Sequence, residues 1–442
     1  MQRAGLAVAD LALAVAPHAR TIWIACGPGN NGGDGFEAAA QLIRRGKRVV
    51  ITQLTTGEES PCDAAMALQR AQNAGVVFSD QPPSHADLCI DALFGIGTLK
   101  PWSERCALWI TAMNAAGSPT LSVDLPSGLD ADTGCCAPLH VRAQHTLTLL
   151  TLKPGLFTAD GREASGNIWF NNLGAQQPTQ ACAHLNPFQP TTPKAHNSHK
   201  GSFGDVAIVG GATSMEGAAV LAARGALHAG AGRVYVALLL ADPMTHDPVQ
   251  PELMFRDFTR LNLSDLTVVA GCGGGTEIEK RLSDVLQYAS KLVLDADGIN
   301  AIASQPPLQA LLKIREPNST VLTPHPLEAA RLLNVSSSRV QSHRLSAAQS
   351  LAEQYSCVVA LKGSGTVIAA PGKVPHINPT GNGCLASAGT GDVLAGMIGA
   401  HLAQGQSAFE ASCLSVFRHG AIADGWASMG SFTAQSLISR AS

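Results

Sequence analysis

The sequence has few charged residues and lacks an excess of charge of either sign. Thirty Lys and Arg residues stand against thirty-three Asp and Glu residues, so the formal net charge is −3, and charged residues make up only 14% of the 442 residues. A balance this close to neutral supplies no broad basic field for nucleic acid or for acidic membranes. We therefore expect small-molecule substrates, and neither nucleic acid nor a membrane as a partner.

Long apolar runs and paired cysteine motifs are also missing. No apolar run approaches the roughly 18–20 residues that a membrane helix needs. The eleven cysteines include no C-x-x-C pair and no Cys/His cluster, which excludes zinc sites and disulfide frameworks that need such spacings. We expect reduced thiols in a cytoplasmic protein. Asp10 interrupts the apolar stretch near the N-terminus, which favours a packed amphipathic helix over a signal peptide.

Glycine, by contrast, is abundant, with 44 residues. Apolar runs alternate with glycine loops and helical patterns, which predicts an α/β fold with doubly wound parallel sheets. At roughly 100–200 residues per domain, the length suggests two or three domains. Residues 171–193 contain four prolines and no charged residue, and we interpret this stretch as a connection. We predict domains at residues 1–175 and 196–442, with a linker at 176–195.

In the first half, the motif GPGNNGGDG at residues 27–35 follows a predicted strand, Thr21–Cys26, and precedes a helix predicted at Phe36–Arg45. Its glycines let backbone N–H groups approach a ligand, and a helix N-terminus favours anions. A tight turn with Asn and Asp caps is the alternative. Asp91 and Asp124 also end predicted strands. Three polar loops at one rim of a sheet suit a hard cation such as K⁺ or Mg²⁺, and a remaining carboxylate suits acid–base chemistry.

In the second half, the motif SAGTGDVLAG at residues 387–396 predicts a glycine turn that opens a helix. Its consecutive amides suit a transferring phosphoryl group, and Asp392 lies where a substrate hydroxyl can lose its proton. An ordinary capped helix is the alternative. The loop KGSGT at Lys362–Thr366 suits nucleotide phosphates, although a hairpin turn explains it equally well. His325, between two prolines, is either a ligand or a structural residue.

The motifs GPGNNGGDG, DALFGIG and VDLPSG, in this order, resemble the NAD(P)HX epimerase domain family. The resemblance implies a Rossmann-like domain that interconverts the R and S epimers of hydrated NADH and NADPH and holds a potassium ion. Asp124 is implied as the residue that moves the proton, and Asn31, Asp91 and Ser127 as the K⁺ ligands. Substrate contacts are implied at Asn30, Asn31, Gly32, Gly33, Asp34, Gly95, Ile96, Gly97, Thr98, Leu99, Lys100, Pro101 and Asp124.

The motifs HKGSFGDVAIVGGA, LDADGIN, LTPHP, LKGSGTV and SAGTGDVLAG resemble the ADP/ATP-dependent NAD(P)HX dehydratase family, which has a ribokinase-like fold. The resemblance implies dehydration of S-NAD(P)HX to NAD(P)H at the expense of ADP, giving AMP and phosphate, with Mg²⁺ accompanying ADP or ATP. Asp392 is implied as catalytic. Substrate contacts are implied at Ala218, Gly273, His325 and Asp392, and nucleotide contacts at Lys362, Gly363, Ser364, Gly365, Thr366 and Gly391.

Two alternatives remain open for the sequence. The second half would also suit a small-alcohol kinase of the ribokinase type, which releases a stable phosphoester. The first half would then be a non-catalytic module for binding or oligomerisation. For the repair enzyme, we expect a homo-oligomer that acts on NADHX or NADPHX.

Overall fold

The computed structural model describes residues 1–55, 61–97, 102–176, 180–188, 195–426 and 431–441. They divide into two compact units, Met1–Gln180 and Ala181–Ser442. Both units are α/β structures built around sheets that are wholly or mainly parallel, which confirms the predicted fold class.

The first unit contains a seven-stranded sheet in which all described pairs are parallel. Its strands are β1 Thr21–Cys26, β2 Arg48–Gln53, β3 Val77–Phe78, β4 Leu88–Ala92, β5 Thr120–Val123, β6 His145–Leu149 and β7 Asn167–Asn171. Its helices are α1 Gln2–Val15, α2 Asn30–Arg44, α3 Cys62–Asn73, α4 Glu104–Ala115 and α5 Gly161–Ser165. The strand order β3-β2-β1-β4-β5-β6-β7 reverses between β1 and β4. Such a reversal opens a ligand crevice at the carboxyl ends of the strands.

Both faces of this sheet are buried, as the alternation along β1 shows. Ile22 and Ile24 belong to the core that contains residues of α1, α2 and α3. Trp23 and Ala25 point to the other face, where they join the core that contains residues of α4. A parallel strand covered on both faces needs a continuous apolar run, which is why the sequence predicts β1 to the residue.

The second unit contains a ten-stranded sheet in the order β11-β10-β9-β12-β13-β14-β15-β16-β17-β8. Its strands are β8 His184–Leu185, β9 Asp205–Ala212, β10 Arg233–Leu239, β11 Met254–Phe255, β12 Thr267–Ala270, β13 Lys291–Leu294, β14 Thr320–Leu322, β15 Val358–Leu361, β16 Val367–Ala369 and β17 His376–Ile377. Its helices are α6 Glu216–His228, α7 Glu279–Tyr288, α8 Ala296–Ser304, α9 Pro306–Lys313, α10 Pro326–Leu333, α11 Ser337–Ser342, α12 Arg344–Tyr355, α13 Thr390–Ala403, α14 Ala408–Asp424 and α15 Ala434–Ile438. The strands β15, β16 and β17 are joined by antiparallel pairing, whereas the other described pairs are parallel. The order again reverses, here between β9 and β12.

Helix α2 begins earlier than the sequence predicts. We expected the helix from Phe36, but it starts at Asn30 and contains most of the glycine motif. The helix packs against the end of β1 so closely that a Cβ on Gly32 would lie 1.9 Å from the carbonyl oxygen of Gly27. Glycine is a poor helix former, so local propensity gives no sign of this turn, and tertiary packing supplies it.

Part of the stretch predicted as a linker joins the second sheet. Strand β8 pairs with β17, with His184 opposite His376. Asn186, which directly follows β8, is buried and donates hydrogen bonds to Asn378 Oδ1 at 3.1 Å and to the carbonyl oxygen of Cys413 at 2.8 Å. A strand of two residues shows no periodicity, so the sequence pattern gives no indication of it.

Two further expectations concern the cysteines and the N-terminal helix. All eleven cysteines carry free thiols. The predicted amphipathic helix is α1, and it buries Ala4, Val8 and Ala12 in the core of the first unit. Among the helices that the structure describes, none combines the length and apolarity needed to cross a bilayer.

Candidate active sites

The first unit has a cavity of about 1010 Å³ at the carboxyl edge of its sheet. Small-molecule sites usually measure about 300–1,000 Å³, so this cavity is large enough for a dinucleotide. Its lining includes Asn30, Asn31 and Asp34 from α2, and Asp124 from the end of β5. The structure therefore brings together the polar residues that the sequence predicted after separate strands.

Asp91, at the end of β4, is fully buried beside this cavity. Its Oδ1 accepts hydrogen bonds from Ser127 Oγ at 2.6 Å and from the backbone N–H of Leu93 at 3.2 Å. Its Oδ2 accepts from Ser122 Oγ at 2.9 Å and from the Ser127 N–H at 2.8 Å. Burial raises the pKa of Asp91, whereas these four hydrogen bonds lower it, and burial has the larger effect. A cation beside the carboxylate would offset this cost.

Asn31 lies against the turn that follows Asp91. A Cβ on Gly95 would lie 3.2 Å from Asn31 Oδ1 and 3.4 Å from Asp124 Oδ2, so Gly95 admits both polar groups. Asn31 Nδ2 is buried and has no hydrogen-bond partner within the described part of the chain. Buried amide groups are rarely left unpaired, so this nitrogen is a candidate donor to a ligand.

Asp124 forms an ion pair with Lys153, which sequence reasoning did not identify. Asp124 has a φ of 68°, and its Oδ1 accepts a hydrogen bond from the Leu149 N–H at 3.1 Å. The ammonium group of Lys153 also donates to Thr148 Oγ1 at 3.1 Å and to the Leu149 carbonyl oxygen at 2.7 Å. Lys153 is 6% exposed, yet both partners of the pair line the cavity. A buried proton donor and a proton acceptor therefore meet at the cavity wall.

A second carboxyl group, Asp34, faces the same cavity. Burial raises its pKa to about 7; the positive charge of the N-terminus lowers it, and the negative charges of Asp124 and Glu37 raise it. Asp34 therefore gains or loses a proton near neutral pH.

The other predicted contacts of the first unit fall into three groups. Gly95, Ile96 and Gly97 line the cavity. Gly32 and Gly33 lie in the first turn of α2, and a Cβ on Gly33 would lie 2.5 Å from Met1 Cε. The predicted contacts Thr98, Leu99, Lys100 and Pro101 lie outside the described residues.

In the second unit, Asp392 lies in the first turn of α13 near two groups that follow other strands. The Sγ atom of Cys272, after β12, and carboxylate oxygens of Asp295, after β13, and of Asp392 all lie within 4.8 Å of one another. Burial raises the pKa of Asp392 to about 7, and the negative charge of Asp295 adds to this effect. A carboxylate with a pKa near neutral is well suited to take a proton from a substrate.

Asp295 is held in place by two donors. Lys362 Nζ donates to its Oδ1 at 2.6 Å, and Thr323 Oγ1 donates to the same oxygen at 2.7 Å. Burial lowers the pKa of Lys362, but the carboxylates of Asp295 and Glu328 outweigh it, so the pKa lies above its ordinary value. Lys362 therefore stays a cation at the carboxyl edge of the sheet.

The predicted nucleotide loop approaches the start of α13. A Cβ on Gly391 would lie 3.4 Å from Lys362 Nζ. Gly389, with a φ of 86°, makes the turn before the helix. The carbonyl oxygen of Thr390 accepts a 2.8 Å hydrogen bond from Nε2 of the buried His419. The hydrogen bond from His419 thus holds the glycine turn, and the start of α13 lies close to Lys362.

Ala218 and Gly273 are direct neighbours. Gly273 has a φ of 58°, and a Cβ on it would lie 2.8 Å from Ala218 Cβ and 2.5 Å from the carbonyl oxygen of Met215. Glycine is required at this close approach of the loop after β12 to α6.

His325 caps the N-terminus of α10. Its Nδ1 accepts hydrogen bonds from the backbone N–H groups of Leu327 at 3.1 Å and Glu328 at 3.2 Å. Its Nε2 lies 3.2 Å from Glu328 Oε1. Burial and the positive charge of Lys362 lower the pKa of His325, so the ring is neutral and its two nitrogens are engaged within the cap. His325 is therefore a helix cap whose side chain remains 46% exposed.

Sequence reasoning missed Lys153 and Asp295. Lys153 follows β6 and precedes a proline, and Asp295 follows β13 in the motif LDADGIN. Both stand at the carboxyl ends of strands, which was the signal available for each.

Each unit is thus a doubly wound α/β structure with an acid–base group at the carboxyl edge of its sheet, which is the architecture of a two-domain small-molecule enzyme. Residues 1–155 match a family described as "YjeF-related protein N-terminus", and residues 206–441 match the family described as "NAD(P)H-hydrate dehydratase".

Known proteins match both units together. The bifunctional NAD(P)H-hydrate repair enzyme Nnr of Escherichia coli K12 is 36% identical, over 96% of this chain and 84% of that protein. The enzyme of the same name from Moorella thermoacetica is 35% identical, over 92% of this chain and 83% of that protein. A solved ADP/ATP-dependent NAD(P)H-hydrate dehydratase from Bacillus subtilis is 30% identical, with a TM-score of 0.47, over 56% of this chain and 92% of that one. The chain belongs to the family of bifunctional NAD(P)H-hydrate repair enzymes.

Proposed function

We propose that this chain repairs hydrated NADH and NADPH in two steps. An epimerase domain at residues 1–175, within the first unit, epimerises R- and S-NAD(P)HX. A dehydratase domain at residues 196–442, within the second unit, dehydrates S-NAD(P)HX to NAD(P)H and converts ADP to AMP and phosphate. Family membership supports the overall reaction, and the carboxylates Asp124 and Asp392 support the two sites. We place the reaction in the cytoplasm and expect a homo-oligomer.

In the second unit, Asp392 is proposed to accept the proton of the substrate hydroxyl while the hydroxyl oxygen attacks the β-phosphorus of ADP. An O–P bond forms, and the bond between phosphorus and the AMP oxygen breaks. The lone pair of the ring nitrogen then expels phosphate from the neighbouring carbon, and loss of a proton from the next carbon restores the ring double bond. Phosphate leaves far more easily than hydroxide, so the kinase-like site performs an elimination.

The remaining residues of this site have binding roles in the proposal. Lys362, Gly363, Ser364, Gly365, Thr366 and Gly391 hold the adenine nucleotide, while Ala218, Gly273 and His325 contact the hydrated nicotinamide. Mg²⁺ accompanies the nucleotide and neutralises phosphate charge. Asp295 offers a carboxylate oxygen donor that suits this ion.

The direct test is to incubate the full chain with S-NADHX and ADP, and separately with ATP. We expect absorbance at 340 nm to recover, with AMP and phosphate formed in equal amounts from ADP. The variant Asp392→Asn is the matched control and is expected to lose this activity. A stable phosphoester of the substrate, without recovery of absorbance, would instead indicate a small-alcohol kinase.

In the first unit, Asp124 and Lys153 are proposed to exchange protons with the substrate. The carbon that bears the hydroxyl is bonded to the ring nitrogen, whose lone pair can expel the hydroxyl group. Lys153 donates a proton to the departing oxygen, which leaves as water. Because the two groups are paired on one side of the site, the planar ring cation must turn its other face to them before water adds. Asp124 then removes a proton from this water and returns it to Lys153, and addition to the second face inverts the centre.

The potassium site is also a proposal. Asp91, Ser127 and Asn31 supply a buried carboxylate, a hydroxyl and an amide oxygen around the turn at residues 93–95, and this oxygen-rich set fits K⁺. The bound ion would offset the buried negative charge and stiffen the turn that lines the cavity.

The epimerase is tested by following the interconversion of R- and S-NADHX by chromatography in KCl and in choline chloride. We expect Asp124→Asn to slow the interconversion strongly, while the ADP-dependent reaction on the S epimer continues. An unchanged epimerisation rate would remove Asp124 from catalysis and favour a non-catalytic module.

A further inference from the structure

The loop of residues 362–366 joins β15 to β16, and a buried cation lies behind it. Arg344, the first residue of α12, is only 2% exposed. Its Nη2 donates hydrogen bonds to the carbonyl oxygens of Leu361 at 3.1 Å, Lys362 at 3.2 Å and Gly365 at 3.4 Å. One guanidinium group therefore holds three carbonyl groups at both ends of a five-residue loop.

These contacts set the direction of the loop's N–H groups. In a trans peptide the C=O and N–H bonds point in opposite directions, and the structure has no cis peptide among its described residues. The carbonyl groups of Lys362 and Gly365 point toward Arg344, so the N–H groups of the next residues, Gly363 and Thr366, point away from it. Outward N–H groups on a glycine loop are available to bind an anion.

The loop is also shaped around the guanidinium group. Gly363 has a φ of 136°, and a Cβ on it would lie 2.8 Å from Nη1 and 2.9 Å from Nη2 of Arg344. Gln341 Oε1 accepts a 2.7 Å hydrogen bond from Nη1 and so orients the guanidinium plane from the opposite side. The glycine in KGSGT is therefore matched to Arg344 as well as to the turn.

Arg344 keeps its charge in this buried position. Burial lowers its pKa to about 10, which still leaves the guanidinium group protonated at neutral pH. A positive charge fixed behind the loop strengthens the attraction of the N–H groups for an anion, because a buried charge is poorly screened.

We propose that Arg344 is a positioning residue for nucleotide phosphate binding: it fixes the backbone of residues 362–366 so that its N–H groups face the phosphates, without touching the nucleotide itself. This inference rests on the proposed nucleotide role of the loop. Arg344 lies on α12, outside the KGSGT motif, so the nucleotide site depends on a residue that the motif does not contain.

The test uses the full chain and the variants Arg344→Met and Arg344→Lys. Arg344→Met is expected to raise the Kd and KM for ADP about 10- to 100-fold, the usual range for losing hydrogen bonds to a charged group. The KM for S-NADHX is expected to change less than about 2-fold, and Arg344→Lys to keep part of the affinity. The epimerase rate of the same chain should not change and serves as an internal control.

A second variant covers the case in which Arg344→Met unfolds the second unit. Gly363→Ala leaves Arg344 in place but puts a methyl group against it, and the same selective loss of ADP affinity is expected. Gly372→Ala is the matched control, since Gly372 also has a positive φ, of 69°, but open space around its Cβ position. Its ADP affinity should stay at the wild-type level.

The outcomes separate this inference from the proposed function. If the wild-type chain itself does not bind ADP, the proposed nucleotide role of the loop fails. If the wild type binds ADP and either Arg344→Met, while folded, or Gly363→Ala binds it with unchanged affinity, the role of Arg344 is refuted. An equal rise in the KM values for ADP and S-NADHX would show a general structural role and would also overturn the inference.

Discussion

The variant Asp392→Asn is expected to abolish dehydration and at the same time to stabilise the second unit. Burial and Asp295 raise the pKa of the Asp392 carboxyl group from 3.8 to about 7, so the folded state binds this proton more tightly than the unfolded chain does. Between pH 4 and 7 the unfolded chain therefore releases it first, and stability falls as the pH rises through this window. An amide has no charge to bury, and the variant avoids this loss.

The expected gain in stability of Asp392→Asn can be calculated from the raised pKa of Asp392. About three pKa units at 1.36 kcal/mol each set an upper limit of about 4 kcal/mol. Because Asp392 keeps some access to solvent, we expect a gain of roughly 1–2 kcal/mol at pH 8 and a clearly smaller gain at pH 5. Calorimetric unfolding at both pH values measures it, with hydrogen exchange in β13 identifying the transition of the second unit.

The control is Asp284→Asn, an exposed aspartate on α7, which should change stability little at either pH. The same carboxyl group must be ionised to accept a proton, so kcat/KM of the wild-type dehydratase should fall below about pH 7. If Asp392→Asn is no more stable than the wild type at pH 8, the buried carboxylate is not costly, and the argument for its raised pKa is wrong.

Three further predictions concern the first unit. Lys153→Met should slow epimerisation about 100- to 1,000-fold, as loss of a proton-transfer group does, while ADP-dependent dehydration is unchanged. Lys153→Arg should retain more epimerase activity than Lys153→Met. Equal epimerisation rates for the wild type and both variants would exclude Lys153 from catalysis. Gly27→Ala should destabilise the first unit by about 2–3 kcal/mol in chemical denaturation, because its Cβ would lie 1.7 Å from the Leu93 carbonyl oxygen. Asp91→Asn should lower the free energy of unfolding of the first unit by about 2–4 kcal/mol, since an amide cannot accept all four hydrogen bonds. The variant should also lose any rise in Tm on adding KCl. A K⁺-dependent Tm in this variant would contradict the proposed role of Asp91 as a potassium ligand.

The central strands were predictable because each is a short apolar run that ends at a glycine or polar cluster. The bounds of β1, Thr21–Cys26, agree with the sequence to the residue, since a parallel strand buried on both faces admits little else. Helix α2 and strand β8 were not predictable. The first depends on a backbone contact with Gly27, and the second on a partner strand almost 200 residues away.

In the candidate sites, too, some residues were predictable from the sequence and others depend on tertiary contacts. Asp124 and Asp392 could be proposed from motifs, because strand ends and helix starts converge at one edge of a parallel sheet. Lys153, despite its place after a strand, and Arg344 were not identified, since neither belongs to a recognisable motif and each gains its significance only from the group it contacts. A sequence pattern shows which polar groups reach a site, but not which buried charges orient them.

The short strand β8 has a practical consequence for dividing the chain. An uncovered strand edge pairs readily with another molecule, and β8, together with the buried Asn186, covers the edge of β17. A fragment that starts at Ala195 would leave that edge bare, and we expect it to aggregate during expression. A fragment that starts at Ala181 keeps the cover and should remain monodisperse in gel filtration. Any natural splitting of this gene into two separate proteins would have to respect the same border.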